Sequence, residues 1–229
     1  MNYFYFDPYA VNVFAAGFEW ARKEHVDCLY LLSESDDLAS RRLFEDSGAG
    51  LVDLRVTLAR DTAPLSASEP CAARLRPACA ADVTALKVIA SKAHTDSRFY
   101  SDERFARERC DALYATWIER SVSGWAQAVF VAELDAAVAG YITVHARADS
   151  LAEIGLIAVA ESARGKGLGR FLVERALAWA HEAGLPHTSV VTQGSNVAAQ
   201  RLYQSAGFRT ARVQLWHHLW FERQTATRA

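Results

Sequence analysis

Apolar residues recur along the chain at spacings that switch between the helical and the extended period. Val83, Leu86 and Ile89 mark one face of a helix over Ala80–Ala93, and Leu113, Trp117 and Ile118 mark another over Asp102–Val122. Val129–Glu133 and Val138–Ala146, β-rich runs on either side of a short polar turn near Asp135, predict a hairpin, and Glu153–Ala160 predicts a further strand. Leu168, Phe171, Leu172, Ala176, Trp179 and Ala180 share a face of a helix that ends near Gly184. His187–Thr192 then predicts a short strand, Asn196–Ser205 a helix closed by Gly207, and Phe208–Phe221 a last extended stretch. The order is mixed α/β, with a strand, a glycine loop, a helix and a strand in succession in the C-terminal half.

Residues 60–70 collect Pro, Ser and Asp with little apolar content and predict a linker. The expected division is a small N-terminal α/β domain over 1–66 and a larger domain over 67–229. A faint repeat crosses that division. An offset of 159 positions pairs Trp20 with Trp179, Arg42-Leu43-Phe44 with Arg201-Leu202-Tyr203, and Gly48 with Gly207, and lays Glu19–Val56 on Ala178–Leu215 without gaps. Identities are few, so duplication and generic α/β patterning both account for it. On the duplication reading the first copy has Phe44 in place of Tyr203, Asp37 in place of Asn196, and Asp7–Ala10 where the second has a glycine loop. It would then support the structure and carry no chemistry.

Composition narrows the function classes. With 51% apolar and 23% charged residues in 229, the chain can bury a core. Its 25 Lys and Arg nearly balance 27 Asp and Glu, for a net charge of −2, and no basic stripe appears, so nucleic acid is not an expected partner. No apolar run reaches the roughly 18–20 residues of a membrane span, and the start, MNYFYFDPYA, lacks the basic and apolar regions of a signal peptide. Cys28, Cys71, Cys79 and Cys110 lie far apart with no C-x-x-C pair, as suits reduced thiols in a cytoplasmic protein. His217 and His218 are adjacent on an extended stretch, so their side chains point to opposite faces; no metal site is expected.

The string most informative about chemistry is Ile157-Ala-Val-Ala-Glu-Ser-Ala-Arg164-Gly165-Lys166-Gly167-Leu168-Gly169-Arg170-Phe171. A strand runs into three alternating glycines, and an amphipathic helix starts inside them. Unpaired N–H groups at a helix start, with the positive end of its dipole, bind phosphate; glycines admit the anion closely, and Arg164, Lys166 and Arg170 add charge. The spacing fits neither G-x-x-x-x-G-K-[ST] nor G-x-G-x-x-G, since Arg170 follows Gly165 and Gly167 while Leu172 follows Gly167 and Gly169.

Arg164-x-x-Gly167-x-Gly169 after an apolar strand resembles the acetyl-CoA pyrophosphate loop of the GNAT N-acetyltransferase superfamily. Asn196-Val-Ala-Ala-Gln-Arg-Leu-Tyr203-Gln-Ser-Ala-Gly207-Phe208 resembles its second signature, N-x-x-A-x-x-x-Y-x-x-x-G-F. The resemblance implies acetyl transfer from acetyl-CoA, with no metal, on a mixed, mostly antiparallel sheet flanked by helices and split by a V-shaped opening; the N-terminal domain would be a partial copy. It implies that the backbone of Leu156, Ile157, Ala158 and Val159 binds the cofactor arm and acetyl oxygen. Gly165, Leu168 and the rest of Arg164–Arg170 would take the pyrophosphate, Asn196 would bond the arm, and Tyr203 would protonate the departing thiolate. No base is assigned: Glu153, His94, Asp96, His145 and a water chain remain alternatives.

Ser97-Arg98-Phe99-Tyr100, followed by Tyr114-x-x-Trp117-Ile118-Glu119, is similar to members of that family that acetylate the 4-amino group of a dTDP-linked 4-amino-4,6-dideoxyhexose. An Arg beside aromatics can pair with a diphosphate and stack on a nucleobase, which makes Arg98, Phe99 and Tyr100 candidate substrate contacts. Another small amine, a peptide α-amine, and a CoA-binding module without catalysis stay open. The aromatic C-terminal stretch Arg212–Phe221 suits a homodimer contact.

Overall fold

Each periodicity becomes an element in the computed structural model, which describes residues 8–63, 72–148 and 150–221, with side chains from Val13 on. In chain order they are α1 (Pro8–Lys23), β1 (Cys28–Glu34), α2 (Leu38–Asp46), β2 (Gly50–Asp61), β3 (Arg74–Pro77), α3 (Val83–Ala93), α4 (Arg98–Ser101), α5 (Arg107–Arg120), β4 (Ala128–Leu134), β5 (Ala137–Arg147), β6 (Leu151–Val159), α6 (Leu168–Glu182), β7 (His187–Gln193), α7 (Val197–Ser205) and β8 (Arg209–Trp220). The mixed sheet with flanking helices is the architecture that the resemblance implies. The expected boundary at 66/67, and Cys71, lie outside the described residues; Cys28, Cys79 and Cys110 are free thiols.

Two helices start later than the periodicity predicts. Ala80–Asp82 is a 3-10 turn ahead of α3, fixed because the Asp82 carboxylate accepts from the Cys79 N–H and forms a bidentate pair with Arg76. The predicted helix from Asp102 begins only at Arg107. Asp102 is extended, and the chain turns back so that Phe105 meets Phe99 edge-on, with centroids 5.6 Å apart. The hairpin turn forms as expected: Asp135 and Ala136 both take positive φ between paired Leu134 and Ala137, the geometry of a two-residue primed turn.

The chain divides into two compact units, one joining residues up to Arg55 to those from Val213 on, the other spanning Val56–Arg212. In the larger unit the strand order is β2-β7-β6-β5-β4-β3. β3, β4, β5 and β6 pair antiparallel, whereas β6 and β7 run parallel. One core lies on the α6 and α7 side, with Phe130, Ile142, Leu172 and Leu177; the other lies on the α3 and α5 side, with Leu86, Ile118, Val131 and Tyr141. Alternation along β4, and along β5 from Tyr141 to Ile142, sends neighbouring residues to opposite cores.

β6 departs from that alternation. Ala152 and Ile154 join the first core while Leu156 and Ala158 join the second, although all four are even-numbered. The cause is a bulge. Ile142 pairs with Ile157 but Val144 pairs with Ile154, so Gly155 and Leu156 together face Thr143. The Thr143 hydroxyl accepts the Leu156 N–H at 2.8 Å and satisfies the displaced backbone. Gly155 is required there because a Cβ would lie 2.8 Å from both Thr143 Oγ1 and His145 Nε2.

In the smaller unit β1 pairs antiparallel with β8, and α1 and α2 cover one face, where Phe14, Phe18 and Phe44 cluster with Leu219 of β8. Its elements have counterparts at the 159-residue offset. β1 and β7, α2 and α7, and β2 and β8 share bounds residue for residue, and α1 and α6 end at equivalent positions. β2 neighbours β7 in the larger unit, and β8 pairs with β1 in the smaller.

Candidate active site

A cleft of about 350 Å³ opens in the larger unit among the ends of β6, α6 and α7. Its walls are Ile157, Ala158 and Val159 of β6, Arg164, Gly165, Gly167, Leu168 and Gly169 of the glycine loop, Leu202 and Tyr203 of α7, and Ala93 at the end of α3. The parallel ladder between β6 and β7 explains the opening. It runs only from Leu151–His187 to Ile154–Val190, although both strands continue beyond it.

Past that point one edge of β6 is free of β7. The Ala160 N–H donates to Ala139 O, so alternation directs the Ala158 backbone to β5 and the Ile157 and Val159 amides and carbonyls to the other edge. Leu156 lies in the α3 and α5 core and its N–H is already used by Thr143.

The glycine loop shapes the next wall. Gly165 and Gly167 adopt φ of 76° and 78°, which side chains disfavour. Gly167 caps α6 with no side-chain hydrogen bond, so the first N–H groups of a 15-residue helix are left for another acceptor. Gly169 serves packing: a Cβ would come within 3.2 Å of Leu202 on α7. Arg164 and Lys166 are exposed, whereas the Arg170 guanidinium is held by Glu174 at 2.8 Å and by the Ser205 carbonyl at 2.8 Å. Arg170 thus ties α6 to the end of α7, while Arg164 and Lys166 lie at the surface of the loop.

On α7, Asn196 is the N-cap, its side-chain oxygen accepting the Ala199 N–H at 3.0 Å. Tyr203 is 2% exposed and packs on Phe208 with centroids 5.9 Å apart. Burial pushes its hydroxyl above the ordinary tyrosine range, so it stays protonated near neutrality. Among the described residues, none hydrogen-bonds that hydroxyl.

The other sequence candidates divide clearly. Arg98, Phe99 and Tyr100 form α4, away from the cleft lining. Arg98 lies 4.2 Å over the Phe99 ring, both aromatics pack against the α3 and α5 core, and the Tyr100 hydroxyl donates to Asp111 at 2.6 Å. Glu153 is paired with Arg147, and Asp96 is exposed in a turn. His145 is buried beneath Trp125, and burial lowers its pKa. His94 caps α3 next to Ala93 of the cleft; its Nε2 lies 3.0 Å from the Tyr141 hydroxyl and its ring stacks on Tyr114 at 4.6 Å. Burial brings its pKa down to about 4.

Sequence reasoning missed Thr143, Gly155 and Tyr141, which set the bulge and hold His94. A glycine inside the Glu153–Ala160 strand was the available signal, since strand glycines mark bulges or close approach. Among the described residues no group of His, Cys, Asp and Glu is arranged to hold a metal, and no helix is long and apolar enough to cross a membrane.

The cleft fits an anionic thioester cosubstrate on its own geometry: a free strand edge, uncapped helix amides behind αL glycines, two exposed cations and an unbonded hydroxyl. Comparison with known proteins gives the family. The Acetyltransferase (GNAT) family matches residues 91–208. The chain is 31% identical over 137 residues to dTDP-fucosamine acetyltransferase of Escherichia coli O6:H1, covering 59% of this chain and 58% of that protein. It is 26% identical over 139 residues to the spore coat polysaccharide biosynthesis protein SpsD of Bacillus subtilis, covering 61% and 48%. The chain spans about half the length of the curated relatives it matches. A GCN5-related N-acetyltransferase from Sphaerobacter thermophilus shares the fold, with a TM-score of 0.68 at 17% identity over 93% of this chain and 69% of that one. A tandem GNAT protein from the clavulanic acid biosynthesis pathway does so at 0.65 and 18%, over 91% and 69%. With its family match covering more than half of the sequence, this chain belongs to the GNAT acetyltransferase family.

Proposed function

We propose that this chain transfers an acetyl group from acetyl-CoA directly to a primary amine, the 4-amino group of a dTDP-linked 4-amino-4,6-dideoxyhexose. The observation that carries the reaction is one cleft joining the glycine loop, the free edge of β6 and the unbonded Tyr203 hydroxyl. Bound acetyl-CoA supplies an activated acetyl thioester. The amides of Gly167–Arg170 at the α6 start, with Arg164 and Lys166, hold its phosphates. The outward amides of Ile157 and Val159 bind its arm and polarise the acetyl carbonyl. Asn196 keeps α7 in place and offers its side chain to the arm. Tyr203, protonated because it is buried, donates its proton to the leaving sulfur.

The substrate class rests on the relatives. One is named for acetylating dTDP-fucosamine and another for spore coat polysaccharide synthesis, and the Ser97-Arg98-Phe99 and Trp117-Ile118-Glu119 strings add to that likeness. Phe99 and Tyr100 are committed to the core, so in this reading the guanidinium of Arg98 meets the diphosphate and the aromatics hold it in place.

The test is CoA release by the purified protein with acetyl-CoA and a panel of amines. The panel contains dTDP-4-amino-4,6-dideoxygalactose, its gluco epimer, simple alkylamines and peptides with a free α-amine. Turnover confined to the nucleotide-linked amino sugars is expected. Turnover with only another amine discards the sugar assignment, and no turnover with any of them contradicts the enzymatic reading.

A further inference from the structure

The acetyl-transfer proposal leaves one proton without a destination. The attacking amine loses a proton as its nitrogen bonds the acetyl carbon, while Tyr203 supplies a different proton to the sulfur as the carbon–sulfur bond breaks. We infer that His94, positioned by Tyr141, accepts the amine proton at Nδ1. This rests on the acetyl-transfer reading above.

Four side chains were candidates on the sequence, and the structure separates them by place. His94 alone among them adjoins a residue of the cleft wall, Ala93. Tyr141, its partner, sits opposite Ala158 of the same wall in the β5–β6 register. Glu153 is occupied by Arg147, Asp96 faces solvent, and the His145 ring is enclosed between Trp125 and Gly155.

The surroundings of His94 suit a proton acceptor. Tyr114 from α5 lies flat against the ring, 20° from coplanar, and Tyr141 from β5 lies 3.0 Å from Nε2; among the described residues these are the titratable groups seen packed on it. The ring is therefore fixed in position and plane by two neutral partners. Tyr141 is fully buried and cannot itself reach an acceptor amine, and in this assignment its oxygen accepts the Nε2–H across the 3.0 Å contact. That tautomer leaves the Nδ1 lone pair free, as a base requires. Burial holds the imidazole neutral at physiological pH, with its pKa at about 4. A base this weak does not strip a free ammonium ion. It takes the proton once nitrogen has attacked and become far more acidic. His94 is then the proton acceptor, Tyr141 a positioning residue.

The experiment pairs kinetics with spectroscopy. His94→Gln keeps an amide N–H for Tyr141 but has no basic nitrogen. With acetyl-CoA and dTDP-4-amino-4,6-dideoxygalactose, kcat is expected to fall about 10²–10⁴-fold with the KM for acetyl-CoA unchanged. The residual rate then climbs with pH as solvent hydroxide substitutes, while the wild-type rate levels off. Tyr141→Phe is expected to lose less and to keep the wild-type profile shape. In parallel, nitrogen NMR of histidine-labelled wild-type protein is expected to show His94 neutral from pH 5 to 8 with its proton on Nε2. A His94→Gln kcat within threefold of wild type, or a proton on Nδ1, overturns the assignment. Wild-type protein inactive on every amine overturns the acetyl-transfer reading instead, and so the two failures are distinct.

Discussion

The segments α1–β1–α2–β2 and α6–β7–α7–β8 share one plan and differ at positions to which the proposed chemistry is assigned. Asp37 and Asn196 both cap their helices, each accepting the N–H three residues on at 3.0 Å. Gly48 and Gly207 follow those helices at φ of 86° and 83°. Phe44 and Tyr203 occupy equivalent buried positions. Even the left-handed residue after the first helix recurs, as His25 at φ 53° and Gly184 at φ 69°. What has no counterpart is the hydroxyl of Tyr203 and the glycine loop, where the first segment has Asp7–Ala10 in sequence. The comparison teaches that packing and capping alone maintain the repeated frame, since an Asp or a Phe maintains it as well. The residues to credit with chemistry are those where the second segment carries something the frame does not need.

The sharpest way to break this contrast is to make the second segment resemble the first. Tyr203→Phe copies Phe44, and kcat is expected to fall by about 10²–10⁴-fold while acetyl-CoA affinity, read by calorimetry, stays within twofold. Unchanged turnover removes the hydroxyl from the reaction. Proton binding gives the next effect. The folded-state pKa of His94 is lowered from 6.5 to about 4, so the unfolded chain binds the extra proton between those values. The corresponding stability is complete above pH 6.5 and is lost as pH falls towards 4, by about 3 kcal/mol. His94→Gln is expected to flatten the melting curve across that window, and an unaltered slope contradicts it.

Smaller effects come from the backbone. Gly167→Ala forces a side chain into φ 78°, at a cost of roughly 1–2 kcal/mol, and should weaken acetyl-CoA about tenfold. His25→Gly, which copies Gly184, is expected to raise stability by up to about 1 kcal/mol in chemical denaturation. The smallest stability change belongs to the caps. Asp37→Asn and Asn196→Asp each exchange equivalent caps and should alter unfolding by only a few tenths of a kcal/mol, roughly. On the proposed site, only Asn196→Asp is expected to weaken acetyl-CoA, because it adds a negative charge where the arm is assigned.

Much of this was legible in the sequence because it rests on local pattern. The strand, glycine loop and helix announce themselves through apolar spacing and three glycines, and the turn at Asp135–Ala136 through polarity. The late start of α5 was not legible, since Phe105 leaves the helix to pack on Phe99, a tertiary preference. The commitment of Arg170 to Glu174 and Ser205 was equally hidden, because charge alone does not say which way a guanidinium turns. His94 could be shortlisted from sequence but not distinguished, because its partner Tyr141 lies on a strand 47 residues away. The same limit applied to the bulge in β6, whose glycine was visible but whose cause, the Thr143 and His145 side chains, was not.

The most direct measurement is a calorimetric titration of acetyl-CoA into the wild-type protein and into Gly167→Ala. If the second segment alone carries the cosubstrate, wild type binds one equivalent per chain and the variant binds more weakly at the same stoichiometry. Two equivalents per chain would show that the first segment binds as well, and no binding would contradict the assignment of the cleft.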